Sequence, residues 1–348
     1  MTMIFVTTEE IAEHNGSKVI EYKLRNENGM ELSILNYGCI ITKWTAKDRE
    51  GNYQNIVLGF DEFDKYLTQS PYFGAVIGRV AGRISDAAFK LNGETYQLEA
   101  NQEKSCLHGG EKGFDKVVWE GRVAENQDLI FTRTSPHMEG GFPGNLDVTV
   151  TYRLLEDDTV EIEYEGTTDQ DTIINMTNHS YFNLNGDFNK SVVNHELMLK
   201  AGRYLPLKED LIPTGELAPV DGTAFDFREP KTLKEGFDTN ERQLEIGGGG
   251  FDHPLMLDTN FDQEIVLSEC DSGRRLTIET DQKGLVLYTG NQMDSNMTIR
   301  GYNTQKHMAL CLETQNLPNA INEPLFPSIV LKPAETYKAK TRYIWTVC

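Results

Sequence analysis

Residues 146–165 read LDVTVTYRLLEDDTVEIEYE, and this stretch decides the fold class. Apolar and polar side chains alternate through 146–155, an acidic turn occupies 156–158, and the alternation resumes through 159–165. Because successive side chains of a strand point to opposite faces, a period of two is typical of half-buried strands. Two such runs joined by a short polar segment predict an antiparallel hairpin.

Two further pairs of alternating segments predict hairpins of the same kind. Residues 18–25 and 30–36 are joined by Asn-Glu-Asn-Gly, and residues 274–280 and 285–289 are joined by Asp-Gln-Lys-Gly. Aromatic and β-branched side chains fill these runs, which suits a pleated surface that is buried on one side.

Helical periodicity is short wherever it occurs, and it is clearest at 60–69 and 231–244. Since no long helices separate the strands, a parallel doubly wound sheet is disfavoured. We predict a mainly β protein, a large antiparallel β-sandwich with few short helices. No linker, low-complexity tract or repeat divides the chain, so residues 1–348 are expected to form one domain.

The charge of the chain restricts its partners. Its 348 residues include 33 Lys+Arg and 54 Asp+Glu, for a net charge of −21. A nucleic-acid backbone needs a basic stripe, and an anionic membrane surface also favours basic proteins, so neither partner is expected. A neutral small molecule is compatible with this charge. The sequence leaves a monomer and a homodimer open.

The cysteines and the chain start both indicate a cytoplasmic protein. The five cysteines are odd in number, widely spaced and without a CxxC pair, which favours free thiols in a reducing compartment. No apolar run approaches the ~18 residues of a membrane span. The first residues also lack the basic and apolar regions of a secretory signal.

Common cofactor and metal motifs are missing. Residues 74–79 (GAVIGR) lack the GK[ST] ending of a phosphate-binding loop, and neither GxSxG nor HExxH occurs. The seven histidines include no pair at metal-ligand spacing. We therefore expect no cofactor and no metal.

Two glycine-rich segments carry candidate ligand side chains. Residues 78–84 (GRVAGRI) contain Arg79 and Arg83, for which surface charge and ligand contact are equally good interpretations. Residues 107–110 (LHGG) place His108 before two glycines, where a tight turn is expected to leave its ring accessible.

Two further segments carry candidate acid and base groups. In residues 175–184 (NMTNHSYFNL), His179 lies among hydrogen-bonding neighbours, where it serves either a site or a structural polar network. In residues 309–316 (ALCLETQN), a strand would place Glu313 and Gln315 on one face. A buried carboxylate is costly without a partner, so Glu313 is either paired structurally or held as a base.

A histidine and a glutamate in one cleft would suffice for one class of reaction. With ordinary pKa values of ~6.5 and ~4.3, one group can donate a proton at neutral pH while the other accepts one. This suits proton movement between two oxygens of one neutral molecule. Ring opening of a cyclic sugar hemiacetal is such a reaction.

The chain resembles the galactose mutarotase (aldose 1-epimerase) family in five segments that follow the family's order. These segments are GRVAGRI (78–84), CLHGG (106–110), MTNHSYFNL (176–184), FDHPL (251–255) and CLETQNLPNAIN (311–322). The closing residues 326–335 are similar to the family's last strand pair. The resemblance implies a β-sandwich with an open sugar-binding cleft on one sheet, and anomer interconversion of free aldohexoses such as galactose and glucose.

The resemblance also implies residue roles. His179 would be the general acid that protonates the ring oxygen, and Glu313 the general base that removes the anomeric proton. The aldehyde would rotate about C1–C2 and close on either face.

Four further residues would contribute to substrate binding. Arg83, His108 and Asp252 would hold sugar hydroxyls, and Tyr181 would line the pocket. His253 is expected to be a structural neighbour of Asp252.

Two departures from the family pattern put the preferred sugar in doubt. Many members have Asn immediately before the substrate arginine, where this chain has Gly82. Some have Gln at the position that corresponds to Val286. A site that loses hydroxyl contacts discriminates less between sugars that differ at one hydroxyl.

Other functions remain open at this point. A sugar-binding or sensor protein would keep the cleft but would need no matched acid and base. An epimerase of a disaccharide or of a phosphosugar is a second alternative, although a phosphosugar calls for more cationic side chains. A glycosidase would need two carboxylates about 5 to 9.5 Å apart, for which Asp252 and Glu313 are candidates.

Overall fold

The strands form three main antiparallel sheets within residues 4–348, the part of the chain that the computed structural model describes. The amino-terminal sheet contains, in spatial order, Phe5–His14, Ser17–Arg25, Glu31–Leu35, Ile41–Lys47 and Tyr53–Asn55. The large sheet contains Glu120–Val123, Leu129–Ser135, Leu146–Leu154, Thr159–Thr168, Tyr337–Val347, Arg274–Thr280, Ile265–Ser268, Glu196–Leu199 and Lys231–Thr232. The cleft sheet contains Tyr181–Phe182, Leu310–Gln315, Gly284–Tyr288, Asp252–Met256, Arg203–Tyr204 and Ala218–Pro219.

Short two-stranded ribbons lie outside these three sheets. The pairs are Val76–Ile77 with Thr177–Asn178, Arg83–Ile84 with Cys106–Leu107, Ala88–Leu91 with Glu94–Gln97, Thr172–Ile173 with Val330–Leu331, and Thr298–Ile299 with Tyr302–Asn303. This architecture confirms the predicted mainly β, antiparallel sandwich.

Two of the three predicted hairpins are confirmed. Leu146–Leu154 pairs with Thr159–Thr168, and Ser17–Arg25 pairs with Glu31–Leu35. The third prediction is wrong, although both of its strands exist. Arg274–Thr280 pairs within the large sheet, whereas Gly284–Tyr288 pairs within the cleft sheet. Alternation specifies which face of a strand is buried, but it does not specify the partner strand.

The helices are as short as predicted, with one difference. Residues 60–69 contain a helix over Phe63–Thr68. Residues 231–244 contain two helices, Leu233–Phe237 and Arg242–Ile246. The first of these begins with a capping box in which Thr232 accepts a hydrogen bond from the Glu235 backbone N–H. Among residues 4–348, no helix has the length and apolar character needed to cross a membrane.

The largest of three hydrophobic clusters in the described residues lies between the sheets and packs against one face of the cleft sheet. Its buried members come from the amino-terminal sheet, the large sheet and the cleft sheet, for example Leu32, Trp44, Val150, Ile162, Leu285 and Leu312. Leu310 and Leu312 point into this core, so the alternate residues Cys311, Glu313 and Gln315 face the opposite side. The sheet thereby holds Glu313 on a rigid, packed strand.

Candidate active site

A cleft of about 230 Å³ opens on the face of the cleft sheet that points away from the core. It brings together all six side chains predicted for the site, which are Arg83, His108, His179, Tyr181, Asp252 and Glu313. These residues come from five separate segments, since His179 and Tyr181 share one, so the fold brings together residues that are distant in the sequence.

His179 is held by backbone contacts on both sides. Its N–H donates to the Ala75 carbonyl at 2.9 Å, and its carbonyl accepts from the Gly74 N–H at 3.0 Å. The side chain is 5% exposed, and burial lowers the pKa of the imidazole to about 4. At neutral pH the ring is therefore uncharged.

Glu313 lies on the second strand of the cleft sheet and is only 3% exposed. Burial, reinforced by the negative charge of Asp252, raises the pKa of its carboxyl to about 8, while Arg83 opposes this rise. Gln315 donates to Glu313 Oε2 at 3.3 Å and orients the carboxyl group.

His179 and Glu313 form a pair, because His179 Nε2 lies 3.4 Å from Glu313 Oε1. Their pKa values of about 4 and about 8 mean that the pair holds one proton between those two pH values. In the resting cleft this proton is on Glu313. Interacting groups titrate as a unit, so the two values belong to the pair.

His108 presents a hydrogen-bond donor. The Gly82 N–H donates to His108 Nδ1 at 3.2 Å, so the neutral ring carries its proton on Nε2. The ring is 8% exposed, and burial keeps its pKa well below the usual value. The ring is therefore much less exposed than predicted, although it lines the cleft. The turn packs tightly, since a Cβ on Gly109 would lie 2.0 Å from the Gly78 carbonyl oxygen.

Arg83 and Asp252 form the charged part of the cleft. Arg83 Nε donates to Gln102 Oε1 at 2.6 Å. Burial raises the pKa of Asp252, and Arg83 counteracts this effect. His253 packs behind the cleft, where its Nδ1 accepts from the Asp252 N–H at 3.1 Å.

The other arginine of the 78–84 segment has a structural environment. Arg79 is buried and donates to Ser135 Oγ and to the Pro143 carbonyl, each at 2.8 Å. Its remaining N–H groups bind further carbonyl groups of the same loop. The surface-charge interpretation is therefore wrong for Arg79, which is a buried structural residue, whereas Arg83 lines the cleft.

Aromatic rings close the side of the cleft next to His179. The Tyr181 ring stacks on His179 with a centroid distance of 5.1 Å, and its hydroxyl donates to the Pro71 carbonyl at 3.0 Å. Tyr72 lies 5.7 Å from His179 and 4.7 Å from His108, centroid to centroid. Sequence reasoning missed Tyr72 and Gln102. Neither residue belongs to a recognised catalytic or binding motif. The only local sign of Tyr72 is its position between a proline, Pro71, and a second aromatic residue, Phe73.

Gly82 and Val286 both border the cleft. Gly82 has a φ of +75°, and a Cβ there would lie 2.8 Å from Pro318 Cβ. Val286 is paired with Glu313 on one side and with Pro254 on the other. Neither residue offers a side-chain hydrogen-bonding group to the cleft.

The compactness of the cleft also raises the question of a metal ion. Potential ligand atoms of His108, His179 and Glu313 lie within 4.8 Å of one another. However, His108 Nδ1 already accepts the Gly82 N–H, which leaves its Nε2 protonated and without a free lone pair. The donor set therefore fits a neutral hydrogen-bonding ligand better than a cation.

Comparison with known proteins gives consistent matches along the chain. The aldose 1-epimerase family model matches residues 21–344. The galactose mutarotase of Sus scrofa is 42% identical over 336 residues, covering 96% of each chain. That of Homo sapiens is 43% identical over 337 residues, covering 95% of each. The crystal structure of galactose 1-epimerase from Lactobacillus acidophilus NCFM superposes with a TM-score of 0.88 at 27% identity, covering 99% of each chain.

Proposed function

The chain belongs to the aldose 1-epimerase family and is an isomerase of aldoses, and we propose that His179 and Glu313 carry out its reaction. The substrates would be free aldohexoses such as galactose and glucose, whose α and β anomers are interconverted. The observation that supports this most directly is the 3.4 Å separation of His179 Nε2 and Glu313 Oε1 in the cleft.

Ring opening requires one proton to leave O1 and another to reach O5. Before opening, the proton of the resting pair moves from Glu313 to His179 across their 3.4 Å contact. Ionised Glu313 then takes the O1 proton while protonated His179 donates to O5, so the C1–O5 bond breaks and C1=O1 forms. The pair then holds its proton on Glu313, which is also its state in the resting cleft. After rotation about C1–C2, the reverse transfers close the ring on either face.

The remaining groups would hold and shield the sugar. His108 Nε2–H and Arg83 would donate to sugar oxygens, and Asp252 would accept from hydroxyl groups. The Tyr72 and Tyr181 rings keep water from His179, which sustains its lowered pKa. This arrangement needs no cofactor.

Polarimetry on freshly dissolved α-D-galactose and α-D-glucose tests the proposal. Wild type should accelerate mutarotation, Glu313→Gln should abolish the acceleration, and His179→Gln should lower it about 10²-fold or more. Glu120→Gln, at an exposed carboxyl of the large sheet, is the matched control and should retain the wild-type rate. Full rates in both cleft variants would overturn the assignment of roles.

The alternative functions predict different results in the same experiment. A sensor would bind sugar in calorimetry without accelerating mutarotation. An epimerase of disaccharides or phosphosugars would accelerate those substrates and neither monosaccharide. Each of these outcomes would replace the proposed substrate class.

We also propose that residues 1–348 form one domain in a cytoplasmic enzyme. The shared core of the three sheets supports the single domain. All five cysteines are free, and three of them are buried, which suits a reducing compartment. Sedimentation velocity would distinguish a monomer from a homodimer.

A further inference from the structure

The strand order of the cleft sheet orients a bound sugar, given the proposed function. The order places Tyr181 first, then Glu313, then Val286, and then Pro254. His179 stacks on Tyr181 and is therefore on the far side of Glu313 from Val286. In a pyranose, C1 is bonded to O5 on one side and to C2 on the other. With O1 at Glu313 and O5 toward His179, C2 must face Val286.

Val286 gives the C2 substituent no hydrogen-bonding partner. It is directly opposite Glu313 in the strand pair, a position where Cβ atoms are about 5 Å apart. Its neighbour on the other side, Pro254, also lines the cleft with an apolar ring. This pair forms an apolar strip, defined here as Pro254 and Val286, beside the reacting carbon.

Gln315 and Tyr288, the polar side chains beside Glu313 and Val286 on their strands, each already make hydrogen bonds within the protein. Gln315 Oε1 accepts from Asn175 at 3.4 Å, while its Nε2 donates to Glu313. The Tyr288 hydroxyl accepts from the Gln292 N–H at 3.1 Å. Asp252 is two strands away from Glu313, at a position suited to hydroxyls farther round the ring.

We propose that this enzyme does not recognise the C2 hydroxyl and that its substrates include 2-deoxyaldoses and aldoses epimeric at C2. A site that hydrogen-bonds a hydroxyl rejects an analogue lacking that group by about 10⁴-fold or more, because its own buried polar groups are left unpaired. Val286 and Pro254 have no polar side-chain group that a missing C2 hydroxyl would leave unpaired. Discrimination at C2 is therefore far weaker than at the hydroxyls held by Arg83 and Asp252.

Mutarotation of galactose, 2-deoxygalactose, talose and 3-deoxygalactose tests this proposal, with each spontaneous rate subtracted. For 2-deoxygalactose and talose, kcat/KM should be less than about 30-fold below that of galactose, since a purely apolar wall discriminates only weakly. The loss for 3-deoxygalactose should be much larger. A loss of more than 30-fold at C2, or equal losses at C2 and C3, would overturn the proposal.

Val286→Thr provides a second readout, because it adds a hydroxyl in nearly the same shape. It should raise the preference for galactose over 2-deoxygalactose several-fold and leave the preference over 6-deoxygalactose unchanged. An unaltered C2 preference would also overturn the proposal. If galactose itself is not accelerated, the proposed function fails; if only the C2 analogues are slow, the orientation argument alone fails.

Discussion

The pH dependence of turnover should reveal the single proton that His179 and Glu313 hold between them. The perturbation is a change of pH from 4 to 10. Burial lowers the pKa of His179 to about 4 and raises that of Glu313 to about 8. The active form, with His179 protonated and Glu313 ionised, has the same total number of protons as the resting form. We therefore expect kcat/KM for galactose to be level between these two values.

The magnitudes follow from the two pKa values. At pH 9, one unit above the upper value, kcat/KM should fall about tenfold, and at pH 5 it should fall by only about a tenth. Because burial lowers the pKa of His179 and raises that of Glu313, the free enzyme favours the arrangement in which the proton is on Glu313. This preference lowers the plateau at every pH and does not change its shape.

The assay is polarimetry at subsaturating galactose, with the base-catalysed spontaneous rate subtracted at each pH. Asp252 and Arg83 are the charged groups that face Glu313. Asp252→Asn removes the negative charge that helps to raise the pKa of Glu313. This variant should move the alkaline limb to lower pH, whatever its effect on the plateau height.

One result would refute this reasoning. If kcat/KM rose through pH 8 and stayed level above it, ionised Glu313 would be acting with a neutral His179. The one-proton description of the pair would then be wrong, although Glu313 could still be the base.

Three further predictions concern stability, a tight turn and metal removal. Because the pKa of Glu313 is raised from 4.5 to about 8, the folded state keeps a proton that the unfolded state loses, so stability falls as pH rises through this window. Urea titrations of wild type and Glu313→Gln between pH 5 and pH 8 measure this effect. The free energy of unfolding of wild type should fall, relative to that of the variant, by about 1.4 kcal/mol per pH unit. Parallel pH profiles for the two proteins would contradict the prediction. Gly109→Ala should lower the free energy of unfolding by about 2 kcal/mol or more, and it should lower kcat/KM because it displaces His108. Gly93→Ala is the control: its φ is similarly positive but the space around it is open, so it should lose only the stability that the strained backbone costs. Dialysis against a chelator should leave mutarotation unchanged, and a loss that zinc restores would indicate a metal at His108, His179 and Glu313.

Local patterns predicted the strands well, but they predicted only part of the strand pairing. The acidic turn at 156–158 lies between two runs that pair with each other, so a local signal was sufficient. The connection at 281–283 has similar polar character, yet the chain passes there from the large sheet to the cleft sheet. A turn-like sequence is compatible with either outcome, because the pairing depends on contacts with distant strands.

In the candidate site too, local patterns predicted some features, and long-range packing determined the others. A period of two placed Glu313 on the face opposite Leu310 and Leu312, as observed. The position of His108 was predicted, but its burial was not, because it depends on the close approach of Gly109 to the Gly78 carbonyl. Tyr72 and Gln102 border the cleft through long-range packing that no spacing in the sequence encodes.

The chemistry of the pair therefore depends on its surroundings as much as on its two residues. A histidine and a glutamate in water would exist at neutral pH as neutral imidazole and carboxylate. In this cleft, the Tyr72 and Tyr181 rings and the core beneath the cleft sheet exclude water, and Asp252 adds negative charge. These neighbours retain one extra proton on the pair, and in the proposed mechanism that proton reaches O5 after it has moved from Glu313 to His179. A chain that kept His179 and Glu313 but lost this enclosure would retain both residues without the proton on which the proposed mechanism depends.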